Sequence, residues 1–346
     1  MTTKPTIQGR TVTDQPQIEA IKHYAQNMRK NIIRMLAAAG SGHPGGALGL
    51  ADIYAALFFG DDELINQGKS GGILRYDFNN PNDHERDLLV ISNGHTVPVY
   101  YAMLREAGMI SDEEMLTLRK FGSRLQGHPE RGTLPWIETT SGPLGEGLSQ
   151  AAGMAYVIKN FDKDSGGAKQ LSASVNSYEN FGAPSPVTTG ARSVRGKFVS
   201  ADAGNDRKIF CMLGDGELDE GEIWEAAMFA AKNHLSNITA IIDRNTIQLS
   251  GATEDIMPLE PLADKWRSFN WNTIEIDGND VAQILFALGN ISENPALDPT
   301  KPTAIIAKTV LGKGVDFMEN NYEWHGKVPN AEEAQKALAE LSEENS

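Results

Sequence analysis

The sequence predicts an α/β protein whose core is a doubly wound parallel β-sheet with helices on both faces. Short apolar runs with the length of buried strands recur at residues 87–91, 208–213, 238–242, 273–276 and 303–309. Stretches with apolar residues at helical spacing alternate with these runs, and such alternation is typical of parallel strands joined by crossover helices. Several runs end at a glycine-rich or polar turn, and in open sheets of this type the turns after the strands carry the ligands.

The predicted helices follow one another in chain order. The longest begins at Pro16, which suits the first turn of a helix, and ends before Gly40, which suits the position after the last turn. Its apolar residues fall on one stripe and imply packing along that side. The predicted helices span residues 16–39, 50–58, 98–107, 111–120, 145–160, 221–233, 261–269, 280–289 and 330–342.

The most informative stretch, Gly-Asp-Gly-Glu-Leu-Asp-Glu-Gly at 214–221, follows the apolar run 208–213. Asn-Thr-Ile at 245–247 follows the next run, with Asn245 thirty residues after Asp215. Both residues are therefore expected at the same edge of the sheet, beside a helix N-terminus. One carboxylate with one or two carbonyl oxygens suits a hard divalent cation, and a helix N-terminus suits phosphate. The pattern predicts a metal and diphosphate site.

This arrangement is typical of thiamine diphosphate sites, and the chain resembles transketolase in the N-terminal segment that holds the cofactor's diphosphate. Four further segments match that family in order, namely Ser-Gly-His-Pro-Gly-Gly at 41–46, Ser-Asn-Gly-His at 92–95, Gly-His-Pro-Glu at 127–130 followed by Gly-Pro-Leu-Gly at 142–145, and Trp-His-Gly-Lys at 324–327. The resemblance extends from about residue 18 to about residue 335. It implies thiamine diphosphate and a divalent cation, Mg²⁺ or else Ca²⁺ or Mn²⁺, as cofactors.

The resemblance also implies which residues hold these cofactors. The implied metal ligands are Asp215, Asn245 and, through its main-chain carbonyl, Ile247. The residues implied to contact the diphosphate are Gly216, His95 and His325. The turn implied to present main-chain groups to the thiamine consists of Gly142, Pro143 and Leu144.

Three histidines are implied to take part in catalysis. By resemblance, His128 lies near the aminopyrimidine of the cofactor and the first hydroxyl of the substrate, while His43 and His325 face the reacting oxygens. Imidazole suits these positions because every step of ketol transfer moves a proton and the pKa of histidine lies near neutrality. Glu220 and Glu225 are implied to meet the partner domain and to link the paired sites, although two solvated acids near a helix N-terminus are an equal alternative.

Transketolases also need a pyrimidine-binding domain and a C-terminal domain. After His325 the sequence offers only the predicted helix 330–342 and a polar tail. We therefore expect residues 1–346 to form a single diphosphate-binding domain, with the other two domains on a separate polypeptide and both chains in an α2β2 assembly. A truncated longer chain is the alternative, and the natural-looking helix and charged terminus at 332–346 disfavour it.

One stretch departs from the family pattern, an insertion at about 164–206 that is rich in small and polar residues. It contains a small basic cluster in an otherwise acidic chain, formed by Arg192, Arg195 and Lys197. A stretch of this length without periodicity is either a solvated surface excursion or a functional segment, such as a lid or docking arm that helps to bind an anionic substrate group.

Composition limits the possible partners. The formal net charge is −15 and the sequence pI is about 4.9, which argues against nucleic acid or an anionic membrane as the main partner. No apolar run approaches the roughly eighteen residues of a membrane span, and the N-terminus lacks the apolar core of a signal peptide. The sequence therefore predicts a cytoplasmic protein, and a single cysteine, Cys211, excludes a disulfide framework.

Three functions are compatible with these observations. The first is transfer of a two-carbon ketol unit from an anionic ketose, for example a phosphorylated one, to an aldose by a two-subunit transketolase. The second is the first component of a 2-oxo acid dehydrogenase, which shares the cofactor and a similar region at 214–217. The third is a non-catalytic cofactor-binding paralogue. The segments His-Pro-Gly at 43–45 and Trp-His-Gly at 324–326 fit the sugar enzyme best.

Overall fold

The computed structural model describes residues 6–7, 10–11, 15–161, 207–289, 291 and 294–343. The stretch 164–206, with Arg192, Arg195 and Lys197, lies outside these residues, so both interpretations of it stay open. Within the described ranges, no helix is both long enough and apolar enough to span a bilayer.

The central element is a five-stranded, fully parallel sheet. The strands among the described residues are β1 (Thr6–Ile7), β2 (Arg10–Thr11), β3 (Leu88–Ile91), β4 (Ile209–Gly214), β5 (Ile238–Arg244), β6 (Ile247–Gln248), β7 (Gly251–Ala252), β8 (Asn272–Asp277) and β9 (Thr303–Lys308). The sheet has the order β3-β4-β5-β9-β8, and each neighbouring pair is parallel. The other strands form two small antiparallel ribbons, β1 with β2 and β6 with β7.

Helices flank the sheet and connect its strands. They are α1 (Gln15–Ala39), α2 (Pro44–Gly49), α3 (Ala51–Phe58), α4 (Asp62–Asn66), α5 (Val97–Glu106), α6 (Asp112–Met115), α7 (Glu146–Phe161), α8 (Gly221–Lys232), α9 (Thr253–Ile256), α10 (Leu262–Ser268), α11 (Val281–Gly289) and α12 (Ala331–Glu343). Single 3-10 turns lie at Gly94–Thr96, Gly216–Asp219 and Tyr322–His325.

Two apolar cores lie on opposite faces of the sheet, because successive side chains of a strand point to opposite sides. Leu89 and Phe210 face one core, together with α1, α3, α5, α11 and α12. Val90 and Cys211 face the other core, together with α7, α8 and α10. Helices therefore cover both faces of a parallel sheet, and the predicted fold class is confirmed.

Two predicted helices differ from the structure. The helix expected at 111–120 is only the single turn α6, capped by Ser111, and the chain then reaches Arg119 at φ +60°. After Met115 the backbone forms i→i+3 turns, and the left-handed Arg119 then prevents a right-handed helix from reaching residue 120. The helix expected at 50–58 is preceded by a separate short helix, α2, and Leu50 lies between α2 and α3.

The site is built at one edge of the sheet, where β3, β4 and β5 end. The chain leaves β3 through Ser92 to His95, leaves β4 through Asp215 and leaves β5 through Asn245. Parallel strands present their carboxyl ends at a common edge, so residues far apart in sequence meet there.

Candidate functional site

Asp215 lies directly after β4 and is almost fully buried. Its Oδ1 accepts the N–H of Gly216 at 2.8 Å, while its Oδ2 accepts the N–H of Thr246 at 2.6 Å and Nη1 of Arg244 at 3.0 Å. Burial raises the pKa of Asp215 to about 6, although the Arg244 charge partly opposes this. Such a buried carboxylate with a raised pKa is typical of a functional position.

Asn245 is held in one orientation by Asp243, the residue two positions before it on β5. The Asn245 Nδ2 donates to Asp243 Oδ2 at 2.9 Å, and its Oδ1 accepts the N–H of Ile247 at 3.0 Å. Asp243 also accepts a hydrogen bond from the Thr309 hydroxyl, and burial raises the pKa of Asp243 to about 7. The amide oxygen of Asn245 therefore stays on the side of Ile247.

The turn between β5 and β6, which carries Asn245, is hydrogen-bonded to Asp215 in the loop after β4. Thr246 adopts φ +66°, which is strained for a β-branched residue. In this conformation its N–H donates to Asp215, and its carbonyl accepts the N–H of Thr253 at 2.9 Å. Strain of this kind concentrates at binding sites, where the surrounding hydrogen bonds hold the backbone in place.

Gly216 shows why the predicted glycine is needed in this loop. A Cβ at this position would lie 2.8 Å from Cβ of Gln248 on β6. A larger residue would therefore push the 3-10 turn at 216–219 away from the β6 ribbon. This 3-10 turn lies between Asp215 and α8, which begins at Gly221 as the sequence predicts.

Three of the predicted histidines form a close cluster. The ring centroids lie 5.1 Å apart for His43 and His95, 5.7 Å for His43 and His325, and 5.2 Å for His95 and His325. They come from three separate segments: His43 immediately precedes α2, His95 follows β3, and His325 ends the 3-10 turn at 322–325.

His128 joins this cluster through a close approach of two loops. A Cβ on Gly94 would lie 2.4 Å from Ser141 Oγ and 3.3 Å from Cδ2 of His128, so only glycine allows this contact. The main chain of Ser141, which precedes the predicted thiamine turn, donates to the carbonyl of Pro129 at 3.0 Å. The loops that carry His95, His128 and Gly142 to Leu144 are therefore packed together.

All four histidines have lowered pKa values, and burial is the main cause for each. The pKa of His43 falls to about 4, with further contributions from His325 and Arg119. Burial lowers the pKa of His95 well below its usual range, and that of His128 and His325 less strongly. At neutral pH the cluster is uncharged, so its imidazoles can accept protons and share hydrogen bonds.

Several buried polar atoms of the site have no hydrogen-bond partner among the described residues. They include Nδ1 of His43, Nδ1 of His325, and both Oδ1 and Nδ2 of the fully buried Asn93. Buried polar atoms are normally satisfied, so a set of unsatisfied ones beside a cleft indicates a polar ligand. Nitrogen and amide groups of this kind fit the oxygens of a diphosphate.

The donor set suits a hard cation. In the part of the chain that the structure describes, no three His, Cys, Asp or Glu side chains form a metal-binding group. A cation would therefore depend on the carboxylate of Asp215, the amide oxygen of Asn245 and the carbonyl of Ile247, completed by ligand oxygens and water. Such oxygen sets are what Mg²⁺, Mn²⁺ and Ca²⁺ prefer.

Glu217 is a central residue of the site that the sequence did not single out. Its buried carboxylate accepts the N–H groups of Gly145 and Gly214, both at 2.9 Å, and the hydroxyl of Ser92. It thus connects the ends of β3 and β4 with the turn before α7. Its position two residues after Asp215 was the available signal, but nothing in the sequence distinguished it from Glu220.

Glu220 and Glu225 lie at the beginning of α8, and both are exposed. Neither carboxylate has a hydrogen-bond or ion-pair partner among the described residues. Leu144, in the predicted thiamine turn, is also 39% exposed. This side of the site is therefore exposed. The exposure fits both alternatives for Glu220 and Glu225, either two solvated acids or two acids that meet a partner domain.

The family model for "Transketolase, thiamine diphosphate binding domain" matches residues 21–175 and 189–344. The chain belongs to the transketolase family. The gap in the match falls within the predicted insertion at 164–206. The predicted family, fold class and enzyme class are confirmed, as is the thiamine diphosphate-binding domain, whereas the metal ion and the individual site residues stay predictions.

Relatives in this family include both short and long chains. An apulose-4-phosphate transketolase subunit from Phocaeicola vulgatus is 34% identical, covering 94% of this chain and 95% of that protein. The 6-deoxy-6-sulfo-D-fructose transketolase subunit from a Clostridium species is 33% identical, covering 94% and 97%. The solved transketolase of Leishmania mexicana superimposes with a TM-score of 0.72 at 25% identity, covering 93% of this chain but 41% of that one.

Proposed function

We propose that this chain is the diphosphate-binding subunit of a two-subunit transketolase, which transfers a two-carbon ketol unit from an anionic ketose to an aldose. The observation that carries the proposal is the cluster of neutral His43, His95, His128 and His325 beside the buried Asp215 and Asn245. It is supported by relatives of nearly the same length that are named transketolase subunits.

The residues present fit the cofactor that this family binds. Asp215, Asn245 and the carbonyl of Ile247 would hold a divalent cation, preferentially Mg²⁺, because they supply oxygen ligands without a cluster of negative charge. His95, His325 and Gly216 would contact the diphosphate, and the turn Gly142 to Leu144 would contact the thiamine. When bound, thiamine diphosphate supplies an electron sink for cleavage of the bond next to a carbonyl.

The histidines would move the protons that ketol transfer requires. His43 and His325 each have an unpaired, buried Nδ1 and are neutral at physiological pH, so they can accept a proton from a substrate hydroxyl. His128 is half-buried at the same cleft and would hold the first hydroxyl of the substrate. Their burial excludes water, which strengthens each hydrogen bond to a substrate oxygen.

The substrate is proposed to carry a negative group at the end of the sugar. The two short relatives are named for apulose-4-phosphate and for 6-deoxy-6-sulfo-D-fructose, which carry a phosphate and a sulfonate respectively. A chain with a net charge of −15 needs local positive charge to bind such a group. Arg119, which lies near His43 and His128, is one source of it.

The second subunit would supply the pyrimidine-binding and C-terminal domains, in an α2β2 assembly located in the cytoplasm. The side of the site near Leu144 and Glu220 is exposed, which is consistent with a site completed by another chain. Residues 1–346 would then act as a single diphosphate-binding domain. Glu220 and Glu225 are the acids best placed to meet the partner.

A reconstituted assay tests the proposal. The chain should be purified with the polypeptide that accompanies it and tested for ketol transfer from phosphorylated and sulfonated ketoses. Decarboxylation of pyruvate without ketol transfer would favour the 2-oxo acid dehydrogenase alternative. Tight cofactor binding without any turnover would favour the non-catalytic one. Replacing Asp215 by Ala should abolish cation-dependent cofactor binding, whereas replacing the exposed Asp264 by Ala should not.

A further inference from the structure

We infer that Glu217 is a positioning residue that fixes the spacing between the predicted thiamine turn, Gly142 to Leu144, and the loop after β4. It thereby sets how much the thiamine part of the cofactor adds to the affinity for the diphosphate. The inference deepens the proposed function, because it rests on the cofactor proposed there. Neither the motif nor the resemblance gave Glu217 a role.

The carboxylate of Glu217 joins two loops of the site. The residue is only 2% exposed. Its Oε1 accepts the N–H of Gly145 at 2.9 Å and the hydroxyl of Ser92, and its Oε2 accepts the N–H of Gly214 at 2.9 Å. Gly145 directly follows the predicted thiamine turn, and Gly214 directly precedes Asp215. One side chain therefore connects the part of the site proposed for thiamine with the part proposed for the cation and the diphosphate.

Hydrogen bonds anchor the predicted thiamine turn at both ends. Before the turn, the N–H of Ser141 donates to the carbonyl of Pro129 at 3.0 Å, and after it the N–H of Gly145 donates to Glu217. Gly145 adopts φ +95°, and a Cβ at this position would lie 2.8 Å from Cβ of Glu220. The end of the turn thus lies directly against the segment that follows β4. Without the hydrogen bond to Glu217, the turn can shift relative to that segment.

The spacing of the two loops matters because thiamine diphosphate is one molecule that would contact both. Its diphosphate and thiamine contacts add fully only when both loops are held in matching positions before the ligand binds. Inorganic pyrophosphate carries the diphosphate alone and therefore reports on the loop after β4. The ratio of the dissociation constant for pyrophosphate to that for thiamine diphosphate, here called the thiamine ratio, measures what the thiamine part contributes.

The test uses the chain assembled with the polypeptide that accompanies it, and calorimetry in excess Mg²⁺ measures both dissociation constants. Glu217→Gln keeps the size of the side chain, but its amide has a single acceptor oxygen and cannot serve both Gly145 and Gly214. The thiamine ratio should fall at least about tenfold, the usual scale for loss of a group that orients a binding residue. Glu146→Gln is the matched control, because Glu146 is exposed and adjoins Gly145, and it should leave the ratio unchanged.

A purely structural role for Glu217 would lower stability in urea without lowering the thiamine ratio. An unchanged ratio in a folded Glu217→Gln complex therefore overturns the inference and leaves the proposed function intact. Should that variant not assemble, Glu217→Asp decides. It keeps the carboxylate but is too short to reach both N–H groups, so the ratio should fall, and an unchanged ratio would again overturn the inference. If the unaltered complex binds thiamine diphosphate no more tightly than pyrophosphate, the proposed function itself fails.

Discussion

Each of the central side chains owes its chemical state to burial. Asp215 and Asp243 have raised pKa values, and His43 and His95 have lowered ones, because a buried group loses the hydration of its charged form. Burial of ionisable groups is unfavourable for folding, and groups with strongly shifted pKa values cluster at functional sites. These four shifted groups together therefore indicate a functional site more strongly than any one of them alone.

His128 offers the most direct test of a catalytic role. Replacing His128 by Ala should leave cofactor binding intact and lower kcat of the reconstituted enzyme by about 10²-fold or more, the usual scale for loss of a general acid–base group. Steady-state kinetics would measure this. His84→Ala is the matched control, because His84 is exposed and lies outside the segments that form the site. Normal turnover in the His128 variant would remove this residue from the catalytic set.

The lowered pKa of His43 makes the stability of the chain depend on pH. In the unfolded chain His43 takes up a proton near pH 6.5, but in the fold only near pH 4. Between these values the unfolded state binds more protons, so stability is fully present above about pH 6.5 and decreases as the pH falls toward 4.

Replacing His43 by Asn should remove part of that dependence. We expect unaltered protein to lose roughly 0.5–1 kcal/mol more than the variant between about pH 7.5 and about pH 5.5, allowing for the partial exposure of the ring. Urea unfolding at the two pH values measures the difference. His84→Asn should retain the full dependence, and identical slopes for all three proteins would contradict the assignment.

At the scale of elements, the site depends on the ends of three strands and on the turns that follow them. β3, β4 and β5 end at one edge, and Glu217 connects the first two with the turn before α7. A single carboxylate that accepts three hydrogen bonds in a buried position holds these segments in register. The position of the turn before α7, which adjoins the predicted thiamine turn, therefore depends on a residue outside it.

Glu217→Ala should destabilise the chain by about 2–4 kcal/mol, because it leaves two main-chain N–H groups and one hydroxyl without an acceptor in a buried place. Glu222→Ala is the control, since Glu222 is exposed on α8 and should cost less than about 1 kcal/mol. Chemical denaturation would measure both. Equal effects of the two substitutions would show that Glu217 does not connect the segments.

At the scale of the whole molecule, the open side of the site is the dominant feature. Leu144, Glu220 and Glu225 are exposed there, and the acidic chain carries a net charge of −15. In the solved transketolase of Leishmania mexicana, the matching part is 41% of a longer chain. We therefore expect the cofactor to lie between this chain and its partner.

Cofactor affinity should accordingly depend on assembly. We expect thiamine diphosphate with Mg²⁺ to bind the lone chain weakly and the assembled complex at least about tenfold more tightly, because two chains then share the contacts and exclude water. Calorimetry or circular dichroism with and without the partner measures this. Equal affinities in both preparations would place the whole cofactor site on this chain.

The sequence by itself determined the sheet, most of its helices and the order of the motifs. Apolar runs and glycine turns are local signals, so the strand bounds agree with the structure to within two residues. The departures have local causes as well, such as the left-handed conformation of Arg119, which prevents a helix from reaching residue 120. Asp215 and Asn245 could be predicted as ligands because each follows an apolar run with the length of a strand, and the structure places each directly after a strand.

Only the tertiary structure decided which groups support these ligands. Glu217 meets Ser92 across 125 residues, and Asn245 is oriented by Asp243, whose other partner is Thr309. Arg244 is held by four acceptors that no sequence pattern connects. Hydrogen bonds between distant segments depend on how the chain packs, whereas propensity and periodicity act only between neighbours. The family and the fold could therefore be predicted from the sequence, whereas the hydrogen bonds that support the site could not.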